Sequence, residues 1–309
     1  QRITSHAAET RDSCDEDHLG RADTHSGPSK HLGQQMKSAF AQFDGGIPDN
    51  YDEHLGPNIF VDYAADLAHR VEKLKPQKVL ELAAGTGIVT RLLRDTLDDQ
   101  CDLTATDLND PMIDVARKKF RDDERITLQH ADALALPFQD EFFDVIVCQF
   151  GVMFFPDKDV SYRQALRVLR PAGHYVFNVW GSFEANPFAR VANETVTAFY
   201  KDDPPGFYQV PFCYHDAEQI TKSLQGAGFT DVTTEVSRIE KPVVDYEGFA
   251  QGLVYGNPLV DEIRRRGDVD PEIVKTTMAE NFLKEFGDVP STMPLQAMFV
   301  SGQRPATAG

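Results

Sequence analysis

The sequence predicts an open, doubly wound α/β domain, and three observations carry that prediction. Short apolar, strand-like runs alternate with helical stretches between residues 78 and 180. Strands separated by helices of that length imply right-handed crossovers and a mostly parallel sheet covered on both sides. The segment FFDVIVCQF (142–150) is an apolar run rich in β-branched residues, as expected of a strand buried on both faces. Finally, 309 residues with 41% hydrophobic and 26% charged content suffice for a sizeable core, in one large domain or one domain with an insertion.

Taken in chain order, residues 1–34 are rich in Asp, Ser, Thr, His and Gly and have almost no paired apolar residues. They cannot offset the entropy of ordering and read as a disordered tail, with 35–309 as a single domain. His6, His18, His25 and His31 are irregularly spaced within that tail and read as solvated, so no metal site is predicted. The stretch FDGGIPDNYDEHLGP (43–57) is full of turn formers. A helix follows over 59–74, where Phe60, Ala64, Leu67 and Val71 fall at helical spacing, and Lys75-Pro76 ends it. Residues 35–74 thus form an N-terminal cover.

The core, 75–180, opens with a strand over 78–82, a helix over 88–97 and a strand over 102–106. A helix over 111–121 follows, with Asp110 as its cap and Pro111 in its first turn. Strands are expected over 126–130 and 143–150, then a helix over 160–169, a turn at Pro171-Ala172-Gly173 and a strand over 174–180. Beyond Trp180 the pattern gives helices over 188–200 and 217–227, the second ended by Gly228, and strands over 230–239 and 292–302. Between those last strands, 245–287 reads as a helical insertion.

Lys and Arg number 31 against 49 Asp and Glu, and the net charge of −18 argues against a nucleic-acid backbone or an anionic membrane surface as partner. No run approaches the roughly 18 to 20 apolar residues of a membrane-crossing helix, and the first residues lack the apolar centre of a signal peptide. A soluble, cytoplasmic protein is expected, with a start at Gln1 that leaves N-terminal trimming open. Cys14, Cys101, Cys148 and Cys213 stand far apart without a C-x-x-C and read as reduced thiols. The Arg264-Arg265-Arg266 run is balanced by neighbouring acids and reads as a solvated helix end.

In a sheet of this kind ligands sit beyond the carboxyl ends of the strands, where the strand order reverses. The first strand ends in VLELAAGTGIVTRLL (79–93), with Gly85 and Gly87 in the turn before the next helix. There the backbone can approach a ligand and the helix start presents unpaired N–H groups. Position 90 is Thr, so the nicotinamide pattern G-x-G-x-x-G fails. Asp107 closes the second strand, twenty residues after Gly87. Its carboxylate suits the vicinal hydroxyls of a ribose, or alternatively caps the next helix together with Asp110. Asp132, in HADALALPF after the third strand, can accept from an adenine amine while the Ala133 N–H donates to a ring nitrogen.

Together with ATDLNDPMIDVA, FFDVIVCQFGVMFFPD and ALRVLRPAGHYVFNVW, these motifs resemble the class I S-adenosylmethionine-dependent methyltransferases, especially the ubiquinone and menaquinone biosynthesis type. The likeness is strong over about 75–180. It implies a Rossmann-like, seven-stranded, mostly parallel sheet with an antiparallel last strand, which AMFVSGQ (297–303) fits. The family's acidic-x-Gly-x-Gly-x-Gly stands here as Glu81-Leu82-Ala83-Ala84-Gly85-Thr86-Gly87, with Ala83 in place of the first glycine. The resemblance implies S-adenosylmethionine as cofactor. Ala83, Gly85 and Gly87 would line its methionine portion, Asp107 would hold the ribose, and Leu108 and Met112 would flank the adenine. Asp132 and Ala133 would read the adenine edge, Gln149 would lie beside the sulfonium, and Tyr51 in NYDEHLGP would fold over the cofactor or stay in an exposed loop.

A sulfonium methyl group is already activated, so such an enzyme mainly aligns a nucleophile and excludes water. A base is needed only where the acceptor must lose a proton early. His54, Tyr208, Tyr214 and His215 are the candidates, each with a structural or solvent-facing alternative. His174 is set aside, at the far end of its strand. The acceptor pocket is expected between the cover, residues 150–155, Trp180 and the substrate-side segment 182–215, with the 245–287 insertion completing a lid or forming a dimer surface. The aromatic density of GVMFFPD and FYQVPFCYH points to an apolar or aromatic small molecule, unless Phe154 and Phe155 only pack a helix onto the sheet. The competing functions are an NAD-dependent oxidoreductase, which the missing third glycine disfavours, and a cofactor-binding regulatory protein without turnover.

Overall fold

A single sheet of seven strands organises residues 41–306, the part of the chain that the computed structural model describes. Its strands are β1 (Lys78–Leu82), β2 (Asp102–Asp107), β3 (Ile126–His130), β4 (Phe143–Gln149), β5 (Leu169–Trp180), β6 (Thr230–Val243) and β7 (Ser291–Gln303). They lie in the order β3-β2-β1-β4-β5-β7-β6. β1 to β5 pair in parallel, and β7 runs antiparallel between β5 and β6. The doubly wound, mostly parallel sheet with an antiparallel last strand is therefore present, and its strand order reverses where β1 sits between β2 and β4.

The helices are α1 (Ile47–Asn50), a π-helical stretch (Tyr51–Phe60) running into α2 (Val61–Glu72), α3 (Ile88–Thr96), α4 (Asp110–Arg117), α5 (Lys158–Val168) and α6 (Pro187–Phe199). They continue with α7 (Gln209–Phe212), α8 (Ala217–Ala227), α9 (Tyr246–Tyr255), α10 (Leu259–Arg266) and α11 (Pro271–Phe286). α2 buries Tyr63, Ala64, Leu67, Ala68 and Val71 on one face, the spacing its sequence predicts. In the sheet, Val145, Ile146, Val147 and Cys148 of β4 and Phe177 and Val179 of β5 are all essentially inaccessible, as expected of strands covered on both faces. Each large apolar side chain buried in this way contributes about 1.5 to 3 kcal/mol.

Three local expectations need correction. Residues 47–60 are helical rather than a loop, despite their turn-forming composition. Pro48 sits in the first turn of α1, where its missing N–H is harmless. Pro57 falls inside wide π turns, in which Val61 N donates to Gly56 O, and burial of Leu55, Ile59 and Phe60 holds the segment down. Asp110 is not the cap of α4: Asn109 precedes the helix, and its side chain is spent elsewhere, as described below. The turn at 171–173 lies within β5, where it survives as a bend with Ala172 at φ 62° and a register shift against β4.

Cys101 and Cys148 are buried free thiols. Among the described residues no helix is long and apolar enough to cross a membrane, and none form a cluster able to hold a metal ion. The expected tail, with its four histidines and Cys14, lies outside the described residues.

Candidate active site

At the end of β1 the chain takes left-handed backbone angles at alternate positions, φ 52° at Ala83, 56° at Gly85 and 78° at Gly87. The zigzag is tied to the next strand by Ala84 N donating to Thr106 O at 2.9 Å and closed by Gly87 N donating to Ala84 O at 2.9 Å. The two glycines do different work. A Cβ on Gly85 would meet nothing within 4 Å, and this residue lines a cavity beyond the carboxyl ends of the strands. A Cβ on Gly87 would lie 2.9 Å from Ala116 Cβ, so its bareness lets α3 and α4 approach each other. Gly87 is not among the residues that line this cavity. Ala83 does line it, in a conformation that costs a non-glycine residue about 1 to 2 kcal/mol.

Asp107, at the tip of β2, ties three segments together. Its Oδ2 accepts from Gly85 N at 2.8 Å and its Oδ1 accepts from Asn109 N at 2.8 Å and Asn109 Nδ2 at 3.1 Å. Asn109 Oδ1 in turn accepts from Phe43 N at 3.1 Å, which is why Asn109 does not cap α4 with its side chain. Burial raises the Asp107 carboxyl, and the N–H donors of Asn109 and Gly85 oppose that rise. Beneath it, the fully buried Glu81 is pushed up to about 8, first by burial, with the Thr90 hydroxyl opposing and the Asp107 charge adding. Glu81 Oε2 has no hydrogen-bond partner. Neither the brace at Asn109 nor the unpartnered Glu81 oxygen was anticipated, although both residues stand near strand ends beside motif residues.

The other expected cofactor positions converge on the same cavity, of about 170 Å3, whose wall includes Leu108, Met112, Asp132, Ala133, Gln149 and Tyr51. Asp132 Oδ1 accepts from Leu134 N at 2.8 Å, which fixes the carboxylate beyond β3. Gln149 Nε2 donates to Phe60 O and its Oε1 accepts from Asn178 Nδ2, each at 3.3 Å. Tyr51 stacks on Phe60 with centroids 4.9 Å apart, and burial with the nearby Asp107 and Asp52 charges keeps its phenol neutral. The cover is fastened over the glycine turn by Asp52, which accepts from Thr86 Oγ1 at 2.7 Å and pairs with Lys119. On its other side Gln251 Nε2 of α9 donates to Asn50 Oδ1 at 2.9 Å.

The opposite wall of the cavity is aromatic. Phe150 stacks on Trp180 at 4.0 Å, Trp180 on Phe212 at 5.8 Å and Phe154 on Phe207 at 6.0 Å. Phe154 and Phe155 therefore face the cavity and are not mere helix packing. Of the candidate bases only Tyr208 lines it, and its hydroxyl donates to Leu253 O at 2.8 Å while burial keeps the phenol neutral. Tyr214 is hydrogen-bonded to Tyr162 at 2.8 Å, His215 Nδ1 lies 2.9 Å from Phe212 O, and His54 packs beside Gly252 of α9. These three lie outside the wall.

Residues 80–177 match a family profile described as methyltransferase domain. The ubiquinone/menaquinone biosynthesis C-methyltransferase UbiE of Shewanella woodyi is 42% identical over 99 residues, which are 31% of this chain and 39% of that protein. The corresponding protein of Shewanella sediminis matches to the same extent. The chain thus spans about two fifths of the length of the curated relatives it matches. Among solved structures, the YcgJ protein of Bacillus subtilis superposes with a TM-score of 0.51 at 15% identity, over 79% of this chain and 99% of that one. Phosphoethanolamine N-methyltransferase 2 of Haemonchus contortus gives 0.55 at 16% identity, over 84% and 57% of the two chains. At those identities the structures speak for the fold, and the sequence match covers 31% of the chain: residues 80–177 are similar to a methyltransferase domain and to the ubiquinone/menaquinone biosynthesis C-methyltransferases.

Proposed function

We propose that the chain transfers the methyl group of S-adenosylmethionine to an uncharged, largely apolar small molecule by in-line displacement. The observation that carries this reading is the division of one cavity. Asp107, Asp132 and Gly85 stand on one side at successive strand ends, aromatic rings stand on the other, and no Lys, Arg or His occurs among its described lining residues. An anionic acceptor would find no counter-ion there.

The residues fit the cofactor. Asp107 retains lone pairs for ribose hydroxyls, Asp132 and the Ala133 N–H face an adenine edge, and Leu108 and Met112 supply its apolar flanks. Ala83 and Gly85 leave room for the methionine portion, and Glu81 Oε2 is a buried oxygen suited to an ammonium. Gly87 acts from behind, by packing. When bound, the cofactor supplies an activated methyl group. The protein then has to orient the acceptor and exclude water, which the Phe150 and Trp180 wall and the Tyr51 cover do. With Tyr208 held neutral, no base is assigned, and the rate rests on proximity.

Thermal shift with S-adenosylhomocysteine and with NAD tests the cofactor half. At a hundredfold excess over Kd the first is expected to add about 2.7 kcal/mol of stability, and a shift with NAD alone sinks the reading. Transfer of labelled methyl to apolar aromatic acceptors tests the other half, and cofactor binding with no turnover on any uncharged acceptor overturns it.

A pH effect follows from Glu81. Its folded value of about 8 lies above the ordinary 4.5, so the stability it contributes is fully present below 4.5 and is lost as pH rises through 8. Binding a cation beside it favours the carboxylate, so cofactor binding at pH 7 should release up to about one proton. Calorimetry in two buffers of different protonation enthalpy reads this directly. Equal heats in both buffers, or a release that persists in Glu81→Gln, refute it.

A further inference from the structure

The Arg264-Arg265-Arg266 run that ends α10 is not a uniformly solvated helix end. Arg264 and Arg265 are exposed, but the Arg266 side chain is only 17% exposed and reaches back to the loop between α6 and α7. Its Nε donates to Asp203 O at 2.8 Å and its Nη2 to Pro204 O at 3.3 Å, while Nη1 donates to Glu262 O at 3.0 Å. One helical turn earlier stands Glu262, almost fully buried. Its Oε2 accepts from Gly206 N and its Oε1 from Phe207 N, each at 3.0 Å. The i, i+4 spacing puts both side chains on one face of α10, and Arg266 Nη1 lies 3.6 Å from Glu262 Oε2. Together they hold the loop by its carbonyls at 203 and 204 and by its N–H groups at 206 and 207.

This loop carries one wall of the cavity. The peptide group between Gly206 and Phe207 gives its N–H to Glu262, and its carbonyl accepts from Gln209 N at 3.0 Å, where α7 begins. A helix of four residues, as α7 is, does not stand on its own hydrogen bonds. Phe207, Pro211 and Phe212 line the cavity, whereas Glu262 and Arg266 do not. Resting on the methyltransferase reading above, we infer that Glu262 and Arg266 are positioning residues for the acceptor: they hold the wall over 207–212 from behind, so that the insertion sets affinity for the acceptor and leaves the cofactor half alone. That half is braced separately, with Asp107 accepting from Gly85 N and Asn109 N. A released wall must be ordered again when a ligand binds against it, and this cost falls on the acceptor.

Trp180 is the only tryptophan in the sequence and stacks on Phe212 in this wall, so quenching of its fluorescence by 4-nitrotoluene, an uncharged aromatic, reports occupancy. The probe is titrated into the full chain saturated with S-adenosylhomocysteine, whose own affinity is measured by calorimetry. Glu262→Gln replaces one acceptor oxygen with a donor and leaves one loop N–H unpaired. It is expected to bind 4-nitrotoluene about tenfold more weakly, with S-adenosylhomocysteine affinity within about twofold of the wild type. Arg266→Met should show the same split with a loss of about three- to tenfold, and the exposed Arg264→Met should change neither affinity. A purely structural role would lower the melting temperature without separating the two ligands. Unchanged 4-nitrotoluene affinity in either clasp variant, or a parallel loss for both ligands, overturns the proposal; should Glu262→Gln not fold, Arg266→Met decides by the same criteria. Absence of quenching in the wild type instead overturns the uncharged-acceptor reading, and failure to bind S-adenosylhomocysteine overturns the cofactor assignment.

Discussion

Replacing Asp107 with alanine is expected to weaken S-adenosylhomocysteine binding by about 3 kcal/mol, more than a hundredfold. A hydrogen bond to a charged group is worth about 1.5 to 3 kcal/mol, and the ribose contact alone would account for that. Here the loss goes further, because the same carboxylate fixes Gly85 N and Asn109 N, each at 2.8 Å. Alanine releases both N–H groups, and with Asn109 it loosens the anchor of Phe43. The glycine turn and the loop before α4 are then free to move relative to each other, and binding must order them again. Asp107→Asn separates the two contributions. It keeps the shape but replaces one acceptor oxygen with a donor, so one of the N–H groups is left facing a donor, and an intermediate loss of about 1 to 3 kcal/mol is expected. Calorimetry on variants whose far-UV circular dichroism matches the wild type checks both. Unchanged affinity in Asp107→Ala removes the ribose assignment and leaves Asp107 a purely structural brace.

That the sequence exposes Asp107 but hides Asn109 shows where reading residues in a line stops. β1 and β3 begin and end where expected, and β2 and β4 differ by one residue, because each is a short apolar run between charged or small residues. Ligand residues at the tips of those strands inherit that legibility. The cover does not: its composition is that of a turn, and only the burial of Leu55, Ile59 and Phe60 makes it helical. Gly85 and Gly87 are the same residue type in one motif, and nothing local distinguishes the one open to the cavity from the one pressed against Ala116. Tyr208, Tyr214 and His215 likewise lie close together in sequence, yet only Tyr208 reaches the cavity. Glu262 lies in the insertion, too far along the chain for any pattern to connect it with Gly206 and Phe207. In each case the missing information is a tertiary contact.

The same distinction makes the substitution of Ala83 for the family's glycine testable. Its methyl group sits where a Cβ on Gly151 would come within 2.6 Å, with Cys148 Sγ at 2.7 Å on the other side. Gly151 is therefore required by what stands opposite it and not by its own backbone angle, φ −102°. Gly151→Ala should destabilise the protein by about 2 to 4 kcal/mol, at or above the usual cost of overpacking, because both neighbours are held by the sheet. Ala83→Gly alone should be nearly neutral, within about 1 kcal/mol. It relieves a left-handed strain of about 1 to 2 kcal/mol, but the freer unfolded chain offsets about half of that. Combined, the two changes should recover at least about 1 kcal/mol of the Gly151→Ala loss, a coupling well above the few tenths expected of independent sites. Recovery should stay incomplete, since the Cys148 sulfur is still in the way, and adding Cys148→Ala should restore a further part. Urea unfolding of the single, double and triple variants measures these terms. Strict additivity between positions 83 and 151 would mean that Ala83 is tolerated for a reason other than the missing side chain at 151.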